Sequence, residues 1–366
     1  MKQEQFSVDS QICRVLRHEP VPWPEIEAVA SEEEFGQRCW HHGVSALVYH
    51  AMQGRVEWAN WPSRLRTKLE QSSKEGVAQE LLRSHYLGLL LEEFERLGVR
   101  CLLTKGEALA ASHYPIPGTR SRCDSDIFIS LDDIELACQA VEKAGFEIVS
   151  SIYKTHQFTV KRFGDSAGAV QFDIHWRISN HPRFARSISF EQAWESSLAV
   201  DSAFGARMLD PVNALMLACM HREGNEIHDK NRLIWIYDIH KIVSEMTEQE
   251  LLEFARLAVQ RNVHTACQSG LACASTHFNS QISDDVWQQL NQPETIMHFD
   301  HSNLALLIND WSRLPTTSMK RALLGELFLP SADSLMDKYN KKSRIWLPML
   351  YMRQVFGGLI RRIALD

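Results

Sequence analysis

The sequence predicts an α+β protein, with a small mixed β-sheet in its middle third flanked by N- and C-terminal helical regions. Three observations predict this. Between Val77 and Leu97, apolar residues recur at three- and four-residue steps. That period breaks at Val99 into short, partly β-branched apolar runs, and from about Phe190 the helical period returns and stays. The division this implies is 1–97 helical, 98–188 an α/β core, and 189–366 helical.

In the first region, the Pro-rich stretch Pro20 to Pro24 leads to a helix-like pattern from Ser31 to Met52. Val77, Leu81, Leu82, Leu89, Leu90, Phe94 and Leu97 then mark the clearest helix, and Gly98 stands where a C-cap glycine belongs. Val99–Thr104 reads as a buried strand, with Lys105-Gly106 ending it and Glu107–His113 as a short helix. A Pro/Gly turn at 115–118 precedes a second strand, Asp124–Ile129. Asp132 and Glu135 give a capping-box-like start to a helix ending at Gly145. Phe146–Ile152 and Gln157–Phe163 read as further strands, and a turn at 164–168 leads to a last one, Ala169–Ile178. Beyond Phe190, helices fit 211–222, 231–246, 248–261, 264–277, 302–312 and 344–365. The last carries Arg353, Arg361 and Arg362 beside Trp346, Leu350 and Phe356, the pattern of a docked helix with a solvated basic side.

Composition narrows the function classes. Apolar residues make up 45% and charged residues 23%, the balance of a globular protein. A net charge of −7 argues against a nucleic-acid-coating surface. No apolar run reaches the ~18–20 residues of a membrane span, and the first residues lack a signal peptide's apolar stretch. Eight scattered cysteines with no C-x-x-C pair support neither a zinc site nor a disulfide framework, and the expectation is reduced thiols in the cytoplasm.

Three carboxylates carry the chemical argument. Asp124 and Asp126 are two apart on a predicted strand and so project from one face, and Asp173 lies inside another strand. Carboxylates set in apolar strands are costly unless paired or metal-bound. A divalent cation holds neighbouring carboxylates ionised, and a third completes a cluster able to bind one or two magnesium ions for displacement at phosphorus. Taken alone, Asp-x-Asp is common on solvated strand ends and Asp173 can pair with Arg162 or Arg177, so ordinary ion pairing is then the simpler account. His221 and His228 are seven residues apart, two helical turns, which is too far for one ion without outside ligands.

The order of elements adds to this. Leu102-Leu103-Thr104-Lys105-Gly106 is followed by Tyr114-Pro115-Ile116-Pro117-Gly118-Thr119-Arg120, then Asp124-Ser125-Asp126, then Asp173-Ile174-His175-Trp176. This succession resembles the uncharacterised bacterial nucleotidyltransferase family of the polymerase-β-like superfamily. Weaker likenesses are His42-Gly43-Val44, the stretch from His221 to Asp238, and Leu329–Asp333. Lys105-Gly106 stands where the wider superfamily has Gly-Ser, and Ser125 where the family usually has an aliphatic residue.

The resemblance implies a nucleotidyltransferase core that moves a nucleoside monophosphate from an NTP such as ATP to an acceptor hydroxyl, releasing pyrophosphate. Asp124 and Asp126 would hold two Mg2+ ions, with Asp173 as third ligand or as base. Lys105 and Arg120 would neutralise the leaving pyrophosphate from a cleft rim, the Gly106 backbone would approach the phosphates, and His175 would contact phosphate or acceptor. The acceptor, a small molecule or a protein, is open. The alternative is a catalytically inactive nucleotide-binding or interaction protein of the same fold.

Overall fold

The computed structural model describes residues 7–149, 156–163, 169–181, 183–200, 206–225, 231–292 and 343–353, with a few isolated residues between 311 and 336. Five helices come first: α1 (Val8–Leu16), α2 (Trp23–Glu27), α3 (Glu32–His41), α4 (Ser45–Met52) and α5 (Ser63–Leu97). A complete capping box, Ser31 with Glu34, starts α3. The single helical stretch expected over 31–52 is broken at His42-Gly43-Val44. Gly43 has φ +71°, and a Cβ there would stand 3.0 Å from Ser121 Oγ. The bend therefore seats the corner of α3 and α4 against the turn that leads to Asp124. The 35-residue α5 ends at Gly98 with φ +74°, as the sequence predicts.

The sheet is built from β1 (Cys101–Thr104), β2 (Ser125–Ile129), β3 (Glu147–Ile148), β4 (Gln157–Phe163), β5 (Ala169–His175), β6 (Leu198–Ala199) and β7 (Arg207–Met208). Their order is β3-β4-β5-β2-β1-β7-β6, with β2 parallel to β5, β1 parallel to β7, and the remaining pairs antiparallel. A mixed sheet between helical layers is thus the observed class. The strand expected over Phe146–Ile152 is regular at Glu147 and Ile148, with the Val149 N–H still donating to the Thr159 carbonyl of β4, and 150–152 lie outside the described residues.

Two helices lie within this region, α6 (Lys105–Ser112) and α7 (Ile134–Lys143). α6 opens two residues earlier than its sequence suggests. The expected capping box at Asp132 is replaced by Ser130, whose hydroxyl accepts from the Asp132 N–H in a short 3-10 turn ahead of α7. Then come α8 (Phe190–Glu195), α9 (Pro211–Gly224), α10 (Leu233–Glu245), α11 (Glu248–Gln260), α12 (His264–Phe278) and α13 (Asp284–Leu290). The expected helix at 302–312 and His228 lie outside the described residues, as does nearly all of Leu329–Asp333. In the tail, Leu350 is buried while Trp346 is 43% exposed, and Phe356, Arg361 and Arg362 lie outside the described residues.

The sheet separates two cores. On one face Ile127, Phe172 and Ile174 pack with Leu90, Phe94 and Val141 from α5 and α7. On the other, Leu102 and Phe128 join a core shared by the first and last helices, from Ile12, Phe35 and Trp61 to Met216, Ile239 and Leu271. Strand alternation therefore sends Ile127 one way and Asp126 with Phe128 the other, toward the C-terminal helices. A glycine pair seats the turn ahead of β2: Gly118 has φ +78°, and its Cβ would lie 2.4 Å from the Gly76 carbonyl carbon of α5.

Candidate active site

At the end of β1 the chain turns abruptly into α6, and Lys105 takes φ +49° there. The left-handed region costs a non-glycine residue about 1–2 kcal/mol. What Lys105 gains is a contact: its Nζ lies 2.6 Å from Oδ1 of Asp126, with the side chain only 14% exposed. Asp126 lies opposite Asp173 in the parallel register of β2 and β5, and Phe128 opposite His175. The two aspartates are therefore neighbours on one face. His175 lies two residues beyond Asp173 on that face, and its Nε2 is 2.7 Å from the same Asp126 Oδ1.

Burial would push Asp126 up, but the Lys105 ammonium and the His175 hydrogen bond outweigh it and hold the carboxyl far below the usual range. Asp124, just ahead of β2, shifts the other way: burial raises it, and the charges of Asp126 and Asp173 raise it further. Asp173 is 8% exposed, and among the described residues its Oδ1 has no hydrogen-bond partner; nor has Nδ1 of His175. Arg162, one candidate partner for Asp173, instead donates to the Ala144 carbonyl and lies over the Tyr86 ring at 4.9 Å.

A divalent cation fits this arrangement. One ligand atom each from Asp126, Asp173 and His175 lie within 4.8 Å of one another. The orphaned buried oxygen of Asp173 and the mutual repulsion felt by Asp124 are both relieved by a positive ion. Carboxylates suit Mg2+ or Mn2+, and an imidazole in the set favours Mn2+ more than Mg2+.

Arg120 is not on an exposed rim, and this corrects the sequence expectation. It is 7% exposed. Its Nε donates to Asp238 Oδ1 at 2.8 Å, its Nη2 to Oδ2 at 2.7 Å, and its Nη1 to the Ser121 carbonyl at 2.6 Å. Tyr114 adds a 2.7 Å bond to the same carboxylate from α10. Gly106 lies against two arginines: a Cβ there would meet Arg122 Cδ at 3.2 Å and Arg120 Cζ at 3.5 Å, so its bareness makes room for them. His221 on α9 packs edge-on against Trp235 at 5.0 Å. Its imidazole is pushed down to about 3 by burial, with Lys105 as the next cause, and so stays neutral at pH 7. Arg120, Asp238, His221 and Trp235 line a pocket with Lys105, Gly106 and Leu217, whose space of about 30 Å3 admits a water or two and no base or sugar.

The sequence pattern described as "Uncharacterised nucleotidyltransferase" matches residues 30–279, about two thirds of the chain. The chain belongs to this nucleotidyltransferase family. A solved structure titled "Crystal structure of an antigenic nucleotidyltransferase-like protein from Paracoccidioides brasiliensis" is similar to it. The two are 16% identical with a TM-score of 0.37, over 58% of this chain and 95% of that one, a likeness too loose to add to the family assignment. No curated protein matches the sequence.

In this nucleotidyltransferase family member a second buried cluster backs the aspartates, and the sequence reading did not find it. Ser125 points away from Asp126 and donates to Glu107 Oε2. Arg122 binds the same oxygen at 2.9 Å and Glu80 of α5 at 3.0 Å, while Arg83 donates to the Arg122 carbonyl at 3.0 Å. A polar residue between the two aspartates thus has partners on the far side of the strand. The available signal was Glu107 and Ser125, polar residues at positions that the helix and strand patterns make internal.

Proposed function

We propose that this protein is a metal-dependent nucleotidyltransferase that moves a nucleoside monophosphate from an NTP to an acceptor hydroxyl, with pyrophosphate leaving. The observation that carries the reading is the buried, unpartnered Asp173 Oδ1 held in register beside Asp126. Asp126, Asp173 and His175 would hold a Mg2+ or Mn2+ ion, with the Asp124 carboxylate ahead of β2 adding negative charge beside it or joining in a second ion. When bound, such ions neutralise charge on the phosphates and draw the acceptor oxygen toward the α-phosphorus. The chain's own groups supply the rest. Asp173 takes the proton from the acceptor hydroxyl as the new P–O bond forms and the bond to pyrophosphate breaks. Lys105 takes up negative charge on the leaving group, and the backbone ahead of α6 faces the phosphates. Arg120, its charge balanced by Asp238, flanks Gly106 and lines the pocket wall. His221 stays neutral and hydrogen-bonds without adding charge.

The reading extends to a cytoplasmic setting, which suits eight free thiols. Among the described residues no helix is long and apolar enough to cross a membrane. The acceptor would approach between the sheet and the C-terminal helices. The alternative, a protein that binds nucleotide without transferring it, draws on one observation: the Lys105 ammonium already occupies Asp126. Thermal shift with each NTP and Mg2+ or Mn2+ tests binding. Saturation at about 100 times Kd should add about 2.7 kcal/mol of stability, and Asp126→Asn should abolish that gain. Labelled pyrophosphate release on adding candidate acceptors separates transfer from binding. No metal-dependent shift with any NTP would remove both readings.

A further inference from the structure

We infer that Lys105 is a resident cation on Asp126 that must be displaced before a divalent ion can bind, so that metal and triphosphate enter the site together and metal alone binds weakly. The inference rests on the metal-dependent reading above and adds an order of binding to it.

Three observations carry it. Oδ1 of Asp126 is engaged twice, by Lys105 Nζ at 2.6 Å and His175 Nε2 at 2.7 Å, which leaves that oxygen little free electron density for an ion. The ammonium is not a solvated surface charge, because its side chain is 14% exposed and lies against the equally buried carboxylate of Asp126. A divalent ion arriving there is repelled by it. Third, Lys105 has a backbone conformation that glycine adopts without cost, φ +49°, so its side chain is held over Asp126 against a conformational penalty.

What releases it is an anion too large for the small neighbouring pocket, met at that pocket's edge. Lys105 and Arg120 are two cationic side chains lining the pocket, and Arg120 is tied by three short bonds to Asp238 and Ser121. Lys105 is the one of the two that can swing. A triphosphate offers it a new anionic partner and frees Asp126 Oδ1 in the same movement. Metal affinity and triphosphate affinity are then coupled through one side chain, and the coupling is reciprocal.

The test is Mn2+ binding without nucleotide, followed by the EPR signal of free Mn2+. Samples are wild type, Lys105→Gly, Lys105→Met and Lys105→Arg, with Asp126→Asn as control. Lys105→Gly is the safer fold, since it relaxes the backbone as it removes the charge. The expected result is Mn2+ binding at least about tenfold tighter in Lys105→Gly and Lys105→Met than in wild type, with Lys105→Arg close to wild type. A merely structural lysine would give no gain. Mn2+ binding no tighter in either uncharged variant overturns the inference. If those variants still bind Mn2+ through Asp126, the metal-dependent reading survives that failure. Mn2+ bound by none of the proteins, with or without a non-hydrolysable ATP analogue, overturns both.

Discussion

Asp238 and Asp173 are both buried carboxylates, 4% and 8% exposed, but their surroundings are opposite. Asp238 receives Arg120 through both oxygens and Tyr114 as well, and burial of the Tyr114 phenol, followed by the Asp238 charge, pushes that phenol well above its ordinary value. Asp173 has an oxygen with no partner among the described residues, beside two other carboxylates and one lysine. The first centre is complete as it stands and ties α10 to the turn ahead of β2. The second is short of positive charge. In a single site the completed centre fixes geometry and the incomplete one waits for a ligand, and a buried acid is informative about function only when its partners are counted.

The sharpest way to break this contrast is to empty the completed centre. Asp238→Ala strands the Arg120 guanidinium and should cost about 3–5 kcal/mol of stability in denaturant melts. Asp173→Asn should cost no more than about 1 kcal/mol by the same measurement. Equal losses would mean that Asp173 is a structural acid like Asp238.

Second in size is the effect of Asp173→Asn on transfer. The rate of pyrophosphate release should fall by about 10²–10⁴-fold, while NTP binding stays within a few-fold, because the acceptor proton moves only in the transition state. Parallel loss of binding and rate would make Asp173 chiefly a metal ligand.

The smallest effect separates two acids within the incomplete centre. Folding raises Asp124, so the native state holds that proton more tightly than the unfolded chain, and its ionisation weakens the fold as pH rises above about 4. Folding lowers Asp126, so its contribution is stabilising above about pH 4 and is lost as pH falls below that value. Without metal at pH 7, Asp124→Asn should therefore raise the melting temperature by roughly 2 °C, and Asp126→Asn should lower it. Both differences should shrink in acid, and a drop in melting temperature for Asp124→Asn at pH 7 would show that its charge is already compensated.

Local pattern reveals one half of this molecule. The strands around Leu103, Ile127, Val160 and Phe172 announce themselves by apolar runs with turn residues at their ends, and Gly98 by its position after the last helical repeat. Asp124 and Asp126 stand out because two acids on one strand face need an explanation. The other half depends on partners far away in sequence. Arg120 was expected on a rim because its turn is all that local reasoning can see; the carboxylate that holds it is 118 residues on. β6 and β7, two residues each, are too short to show alternation. Even the left-handed conformation of Lys105 has no local signal, since glycine is the residue that usually advertises it.

The shared core of the first and last helices also has a consequence in time. Arg17, at the end of α1, donates to the carbonyl of His277 on α12, 260 residues later, and Ile12 sits in the same core as Leu271. At about 5–20 residues per second, synthesis separates those partners by roughly 10–50 s. During that interval the nascent amphipathic α1 has no C-terminal surface to bury against. The middle sheet with α5 and α7 can consolidate first, on a core that needs none of the last helices. Ribosomal pausing after the sheet would therefore lengthen the exposure of the α1 surface that the C-terminal helices later cover.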